Sequence, residues 1–434
     1  MFKLKELFWN KNNYSTKKVR KKLILEKGIL YLDFTASGLA YKPIEKEIQK
    51  VLKTYANTHS EVGYFAEKTS KSYEKARKSL HETLWVWKEF CILPIWTGAT
   101  GAIKKFQELL GLYIPPATRN RYKIEKSELP LVIIWPFEHH SNEVSFREAL
   151  CETIVCPLNK KWEINLEKLE EILEKNSKRE IIWSFSAASN VTGIKNPIEQ
   201  ISKLIRRYNW IICVDAAASS PYMNIKSDFH DAMFLSPHKL IWWPWSCGLL
   251  VIRKNICNKS NKPTFAGWWT VSYVSKNIQT YSNDIELRED VWTPGILQFI
   301  KASLAYELRN NIWLDFIHKK EEKIKKYFYN KIKNIDWIKL YCSPKHDKIA
   351  IFSFNIEWFS PYFLAKELSD KYKIQTRAWC SCAWPYWHEL LGLAEWVDIS
   401  TKPGWLRVGW HYLYEEKDVD YFIESLEKII SKKK

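Results

Sequence analysis

Between about residues 97 and 252 short apolar runs alternate with amphipathic stretches, and that alternation restricts the chain to very few architectures. The runs are Leu131 to Ile134, Ile181 to Phe185, Ile211 to Val214 and Gly248 to Ile252, each of strand length. Between them the apolar residues take helical spacing. Thr100 to Leu110 places Ala102, Ile103, Phe106, Leu109 and Leu110 on one stripe, and Ile164 to Leu173 and Pro197 to Tyr208 read the same way. Strands separated by amphipathic helices build βαβ units, so the expected fold class is α/β, a mostly parallel central sheet covered by helices.

The chain has 434 residues, too many for one compact core and enough for two domains. The expectation is a large domain over 30–295, and a smaller α+β domain formed by an N-terminal arm, 1–29, with 296–434. In the smaller part a long helical region runs from about 295 to Lys333, followed by a strand at Ile349 to Phe354, another helix and a closing helix. No apolar stretch approaches the ~20 residues of a membrane span. The basic N-terminus is followed by no apolar segment of signal-peptide type, so no membrane association and a cytoplasmic location are expected. Nine scattered cysteines in such a chain read as free thiols, and no second ligand pair accompanies Cys380 and Cys382, so no metal site is expected. The net charge of +18 comes from dispersed lysines with the longest runs at the two ends. It points to no nucleic-acid partner, because no nucleic-acid motif accompanies it.

One imbalance stands out. The chain holds 23 Trp and only 13 Gly, whereas ordinary usage gives roughly 30 Gly in this length. Several Trp occupy places that call for glycine: Trp242, Trp243 and Trp245 after Ser236-Pro237-His238-Lys239, Trp268-Trp269, Trp162 in a turn, and Trp210 where a helix should end. Some bacterial lineages read UGA as glycine. If about 18 of the 23 Trp are glycines, Gly reaches about 31, the ordinary level. The alternative is a genuinely Trp-rich chain, but Trp is ill-suited to the φ > 0 backbone such turns demand.

Four segments carry candidate chemistry. Lys239, after a strand and beside Ser236 and His238, is a candidate nucleophilic amine; burial and nearby positive charge lower a lysine pKa. Asp215, in Val214-Asp215-Ala216-Ala217-Ala218 at a strand end, can pair with a protonated ring nitrogen, or simply cap a turn. Thr97-Gly98-Ala99-Thr100-Gly101 opens a helix, where free N–H groups and the dipole suit a phosphate. Glu138-His139-His140-Ser141-Asn142 follows a strand and offers a ring for stacking, or a surface His pair. Two further strand ends, Ser189-Asn190 and Trp292-Thr293-Pro294, add an amide and a hydroxyl.

Together these segments resemble the class V aminotransferase fold of pyridoxal 5′-phosphate enzymes, fold type I, and most closely its cysteine desulfurase and selenocysteine lyase branch. The resemblance covers about residues 30 to 415, through Tyr31-Leu32-Asp33, Glu138 to Asn142, Ser189-Asn190-Val191-Thr192-Gly193, Val214 to Ala217 and Ser236 to Lys239. It implies the cofactor pyridoxal phosphate, covalently held by Lys239. His139 would stack on the ring, Asn190 contact the ring hydroxyl and Asp215 pair with the ring nitrogen. Ser236, His238, Ala99 and Thr100 would bind the phosphate. Thr293 would reach the phosphate of a partner subunit, which implies a homodimer. The same resemblance puts glycine at Trp96, Trp135, Trp183, Trp242, Trp243, Trp245, Trp292 and Trp379, but accepts tryptophan at Trp405.

The reaction is read from the C-terminal region. Arg377-Ala378-Trp379-Cys380-Ser381-Cys382 resembles the desulfurase loop that carries the sulfur-accepting cysteine, aligned here with Cys382. A thiolate there would attack the sulfur of a bound L-cysteine, leaving a persulfide on Cys382 and L-alanine. Arg377 and Arg407 match arginines that clamp the substrate carboxylate, for which a planar fork is suited. A sulfur-acceptor protein is a further implied partner. The chain departs from the branch at Ala218, where desulfurases usually have Gln, and at Cys380-Ser381, where they have His-His. These departures bear on the substrate and not on the cofactor. The other readings are a different class V enzyme, such as an amino-acid transaminase, and an inactive homologue if the Trp beside Lys239 are genuine.

Overall fold

A computed structural model describes residues 16–432 apart from 59–61, 120, 122–128, 209, 242–245, 258–261, 268–269, 291–292, 344, 394–397 and 399–402. In chain order come α1 (Thr16–Arg20), β1 (Leu30–Tyr31), α2 (Lys42–Leu52), α3 (Tyr64–Leu84), β2 (Phe90–Ile95), α4 (Gly98–Leu109), α5 (Pro116–Arg119), β3 (Leu131–Ile134), α6 (His140–Arg147), β4 (Glu152–Val155), α7 (Leu166–Lys175), β5 (Ile181–Ser186) and α8 (Ile198–Arg206). The chain continues with β6 (Ile211–Asp215), β7 (Ala232–Leu235), β8 (Gly248–Arg253), β9 (Val271–Val274), β10 (Gln279–Tyr281), α9 (Ile285–Glu289), α10 (Ile296–Ile312) and α11 (Leu314–Ile332). It closes with β11 (Ile338–Leu340), β12 (Ile351–Ile356), α12 (Pro361–Tyr372), β13 (Ile374–Gln375), β14 (Arg377–Trp379), α13 (Trp384–Leu391), β15 (Trp405–Gly409) and α14 (Glu416–Ser431).

The central sheet has seven strands in the order β2-β8-β7-β6-β5-β3-β4. The run from β7 to β4 is parallel, and β8 is antiparallel to both neighbours. Helices supply its cover because their apolar residues fall on one stripe: in α8 Ile198, Ile201, Leu204 and Ile205 are buried, and α7 buries Leu169 and Leu173 behind an Asn165 side chain that accepts from Lys168 N at its start. With both faces covered, β5 is buried along its whole length. A second, antiparallel sheet, β11-β12-β15-β14, packs through its own core against α11, α12 and α14. Leu30, Leu32 and Phe34 join that second core, while α10 packs on α3 and shares the first. The α/β class and the mostly parallel sheet stand as expected.

Two local expectations change. The helical region after 295 is two helices, broken at Trp313, whose backbone is at φ 72, ψ 117. The helix before Trp210 ends earlier, at a right-handed Arg207, and Trp210 stacks on Tyr208 at 4.7 Å instead of capping it.

Candidate active site

The sheet delivers its chemistry along one edge. The strands β3, β5, β6 and β7 run parallel, and β2 runs the same way because two antiparallel pairings separate it from β7. Their C-terminal ends therefore open on the same crevice, where α/β sheets bind ligands. Glu138-His139 follows β3, Ser186 ends β5, Asp215 ends β6, Ser236 follows β7, and Gly98 opens α4 after β2. A cavity at this edge is lined by Ala99, Thr100, His139, Asn190, Asp215, Ser236, His238 and Lys239. Residues scattered along the chain from Ala99 to Lys239 thus line one cavity.

The individual groups are held by short contacts. Ala99 N–H, at the start of α4, donates to Ser236 Oγ at 3.0 Å. His139 is the N-cap of α6: its Nδ1 accepts from Ser141 N at 3.1 Å, which orients the ring. Ser141 Oγ in turn lies 2.7 Å from Thr100 Oγ1. Ala217 N–H donates to Asp215 Oδ1 at 2.8 Å. Below them Glu138 is fully buried and accepts from Ser186 N (2.8 Å), Ser186 Oγ (2.7 Å) and Asn142 Nδ2 (2.8 Å).

Burial decides the charges. Desolvation pushes the Lys239 ammonium down to about 8, opposed by the Asp215 carboxylate. His139 falls to about 3 and His238 to about 4, first by desolvation and then by the charge of Lys239, so both rings are neutral near pH 7. Desolvation raises Asp215, with the Ala217 hydrogen bond and Lys239 acting the other way. Glu138 rises to about 8 through burial.

The second sheet contributes the remaining groups. Arg377 on β14 and Arg407 on β15 lie directly opposite each other in the ladder. The segment 380–382 docks at the start of α6 and on the segment after β5: His140 N–H donates to Cys382 O at 2.9 Å, and Asn190 Nδ2 donates to Ser381 O at 2.6 Å. Ser381 and Cys382 both adopt positive φ, 60° and 55°. Cys380 is buried and Cys382 exposed. Thr293 is not in the cavity; it is exposed and accepts from Asn57 Nδ2 at 3.1 Å. Trp242, Trp243, Trp245, Trp268, Trp269 and Trp292 lie outside the described residues.

Three residues of this neighbourhood escaped sequence reasoning. Ser186 carries no motif. Glu138 stands out in the sequence only as a neighbour of His139. Asp33 belongs to a recognised motif, yet nothing local shows that it meets both arginines.

The cavity suits a phosphorylated pyridine aldehyde. Asn190 Oδ1 is buried without a hydrogen-bond partner among the described residues. Gly98 sits at φ +61, and a Cβ there would press on His238 at 3.2 Å and Ser236 Oγ at 3.3 Å, so this turn at the start of a helix favours glycine for its backbone as well as for its tight surroundings. An amine of lowered pKa and a buried carboxylate lie in the same wall. This fold and this arrangement define a fold type I pyridoxal-phosphate enzyme.

The chain belongs to the class-V aminotransferase family, which it matches over residues 30–422. It is 24% identical over 409 residues to a probable cysteine desulfurase of Staphylococcus aureus, covering 93% of this chain and 92% of that one. A probable cysteine desulfurase of Staphylococcus epidermidis is equally similar, at 24% over the same length and coverage. Among solved structures it shares its fold with the apo cysteine desulfurase of Thermococcus onnurineus (TM-score 0.81, 22% identity, 97% of this chain and 99% of that one). It also shares it with the Escherichia coli cysteine desulfurase CsdA (TM-score 0.79, 18% identity, 97% and 99%).

Proposed function

We propose that this chain binds pyridoxal phosphate and is a cysteine desulfurase, converting L-cysteine to L-alanine with the sulfur retained as a persulfide on Cys382. The observation that carries the reading is the docked segment: an exposed thiol on a loop anchored by its backbone to His140 and Asn190, at the rim of the cavity. The cofactor supplies an aldehyde that captures the substrate amine and a ring that accepts electrons. Lys239 would hold it, Asp215 would keep the ring nitrogen protonated, and the neutral face of His139 would stack on the ring. Ser236, His238 and the Ala99-Thr100 turn would take the phosphate, and Asn190 the ring hydroxyl. Arg407 and Arg377 would bind the substrate carboxylate. The Cys382 thiolate then attacks the substrate Sγ. The Sγ–Cβ bond breaks with its electrons on carbon, the carbon takes a proton, and alanine leaves.

The test is direct. Protein loaded with the cofactor should release alanine from L-cysteine, and peptide mass spectrometry should find the extra sulfur on Cys382. Cys382→Ser should lose about 100-fold or more in alanine release, while Cys380→Ser, a buried neighbour, should lose far less. Equal turnover in wild type and Cys382→Ser, or no alanine from either, would move the reaction to another class V type such as transamination. One feature favours that second reading: Ala218, which replaces the branch's usual Gln, lines the cavity wall. A homodimer completed by Thr293, a sulfur-acceptor protein and action in the cytoplasm belong to the same proposal. Among the described residues no helix is long and apolar enough to cross a membrane.

A further inference from the structure

Asp33 contacts both arginines proposed to bind the substrate carboxylate. Arg377 Nε lies 3.1 and 2.9 Å from its two oxygens and Arg377 Nη2 2.8 Å from Oδ2, a forked contact; Arg407 Nη2 lies 3.3 Å from Oδ1. Arg407 Nη1 donates to the Asn190 carbonyl at 3.0 Å. The two arginines face each other in the ladder, an arrangement that repels unless an anion lies between them. Asp33 is that anion, buried to 9% exposure. The three side chains therefore carry one net positive charge, and His139 and His238 are neutral and add none.

We infer that Asp33 is a specificity residue: by neutralising one of the two arginines it limits the site to amino acids with a single carboxylate and a neutral side chain. This rests on the proposed amino-acid function and narrows its substrate class, excluding aspartate- and glutamate-like substrates. A second carboxylate would face Asp33 with no free cation of the pair to meet it. The experiment measures calorimetric binding of two amine-free probes to the cofactor-loaded protein, 3-mercaptopropionate with one carboxylate and mercaptosuccinate with two. Wild type should favour the monocarboxylate by about tenfold, since uncompensated like charges cost that much or more. Asp33→Asn should erase or reverse the preference by tightening mercaptosuccinate. An unchanged ratio in a variant that melts like wild type, or equal weakening of both probes, overturns the inference. If Asp33→Asn does not fold, Arg377→Gln serves: with net charge removed, 3-mercaptopropionate should weaken about tenfold, and unchanged affinity overturns the inference. Neither probe reports on desulfuration, so failure here leaves the Cys382 test untouched.

A different observation carries a second inference. Among the described residues eight non-glycine residues have positive φ, and five are tryptophan: Trp85, Trp162, Trp313, Trp337 and Trp358, from a residue type that supplies only 23 of 434 positions. A bulky residue there is an outlier; glycine adopts this backbone freely. Three of these places show a structural reason for it. Trp85 is the left-handed C-cap of α3, its N–H donating to His81 O. Trp162 closes a turn whose Lys161 and Glu163 N–H groups donate to Asn159 Oδ1. Trp313 breaks α10 from α11. All five are at least 37% exposed, Trp358 to 72%. The sheet gives the converse: Trp135 and Trp183 are fully buried, yet their indole N–H groups have no partner among the described residues, an uncommon state for a buried indole. Trp405 differs, for its Nε1–H donates to Ser381 Oγ at 3.0 Å.

We propose that the organism decodes UGA as glycine and that its own protein carries glycine at these five positions, while Trp405 is a true tryptophan. The gene should show UGA at positions 85, 162, 313, 337 and 358 and UGG at 405. Peptide mass spectrometry of protein isolated from the source organism should read glycine at the five. UGG codons there, or tryptophan in those peptides, overturns the proposal.

Discussion

Lys239 shows how much a residue depends on its surroundings. Nothing in its side chain separates it from the other lysines of a strongly basic chain; desolvation does, by disfavouring the ammonium. With a pKa of about 8, the free amine becomes the major form above that pH, against 10.5 for an ordinary lysine. The rate at which cofactor-free protein captures pyridoxal phosphate should therefore rise with pH and level off above about 8, followed by absorbance. Lys239→Ala should show no such capture. A rate still climbing steeply at pH 10 would mean that Lys239 is not held in a desolvating site. The Ser236-Pro237-His238-Lys239 context marks this lysine in the sequence, but its altered acidity comes from the walls of the cavity.

At the scale of elements, Glu138 ties strand to helix. Its carboxyl group joins the end of β5, through Ser186, to α6, through Asn142, and so fixes the loop that carries His139. Its pKa is raised to about 8 in the fold and is ordinary, near 4.5, once unfolded. Between those values the folded state binds the extra proton, so this group's contribution to stability is present below pH 4.5 and is lost as pH rises toward 8. Glu138→Gln should remove that dependence: measured by denaturant unfolding, its stability relative to wild type should improve between pH 5 and pH 8. A parallel pair of pH curves would show that Glu138 takes up no proton on folding. Sequence reading found β3 and β5, because a short apolar run is a local signal, but named no helix where α6 lies. It did not find the buried carboxyl group between them, because three donors from two elements are assembled only by packing.

At the scale of the molecule, Thr293 bears on assembly. It is exposed, away from the cavity of its own chain, and hydrogen-bonded to Asn57. In the proposed homodimer it completes the partner's phosphate site. Light scattering should then give the mass of two chains, and Thr293→Ala should leave that mass unchanged while weakening cofactor retention about tenfold, the scale expected for losing one hydrogen bond to a charged group. A monomeric protein that retains the cofactor would remove this role.

The sequence by itself determined the α/β class, the parallel strands β3, β5 and β6 and the candidate residues Ala99, Thr100, His139, Asn190, Asp215, Ser236, His238 and Lys239, because periodicity reports burial and each motif sits at a strand end that a parallel sheet must bring to one edge. It also held the excess of tryptophan over glycine in plain view. Only the tertiary structure decided which of those tryptophans stand at positive φ, since backbone dihedrals follow from chain path and not from composition. It alone placed Asp33 between Arg377 and Arg407, 344 and 374 positions away, and seated Cys382 against His140. The first contact joins the segment after β1 to two strands of the second sheet, the second reaches from the end of that sheet to the start of α6, and no local spacing encodes either.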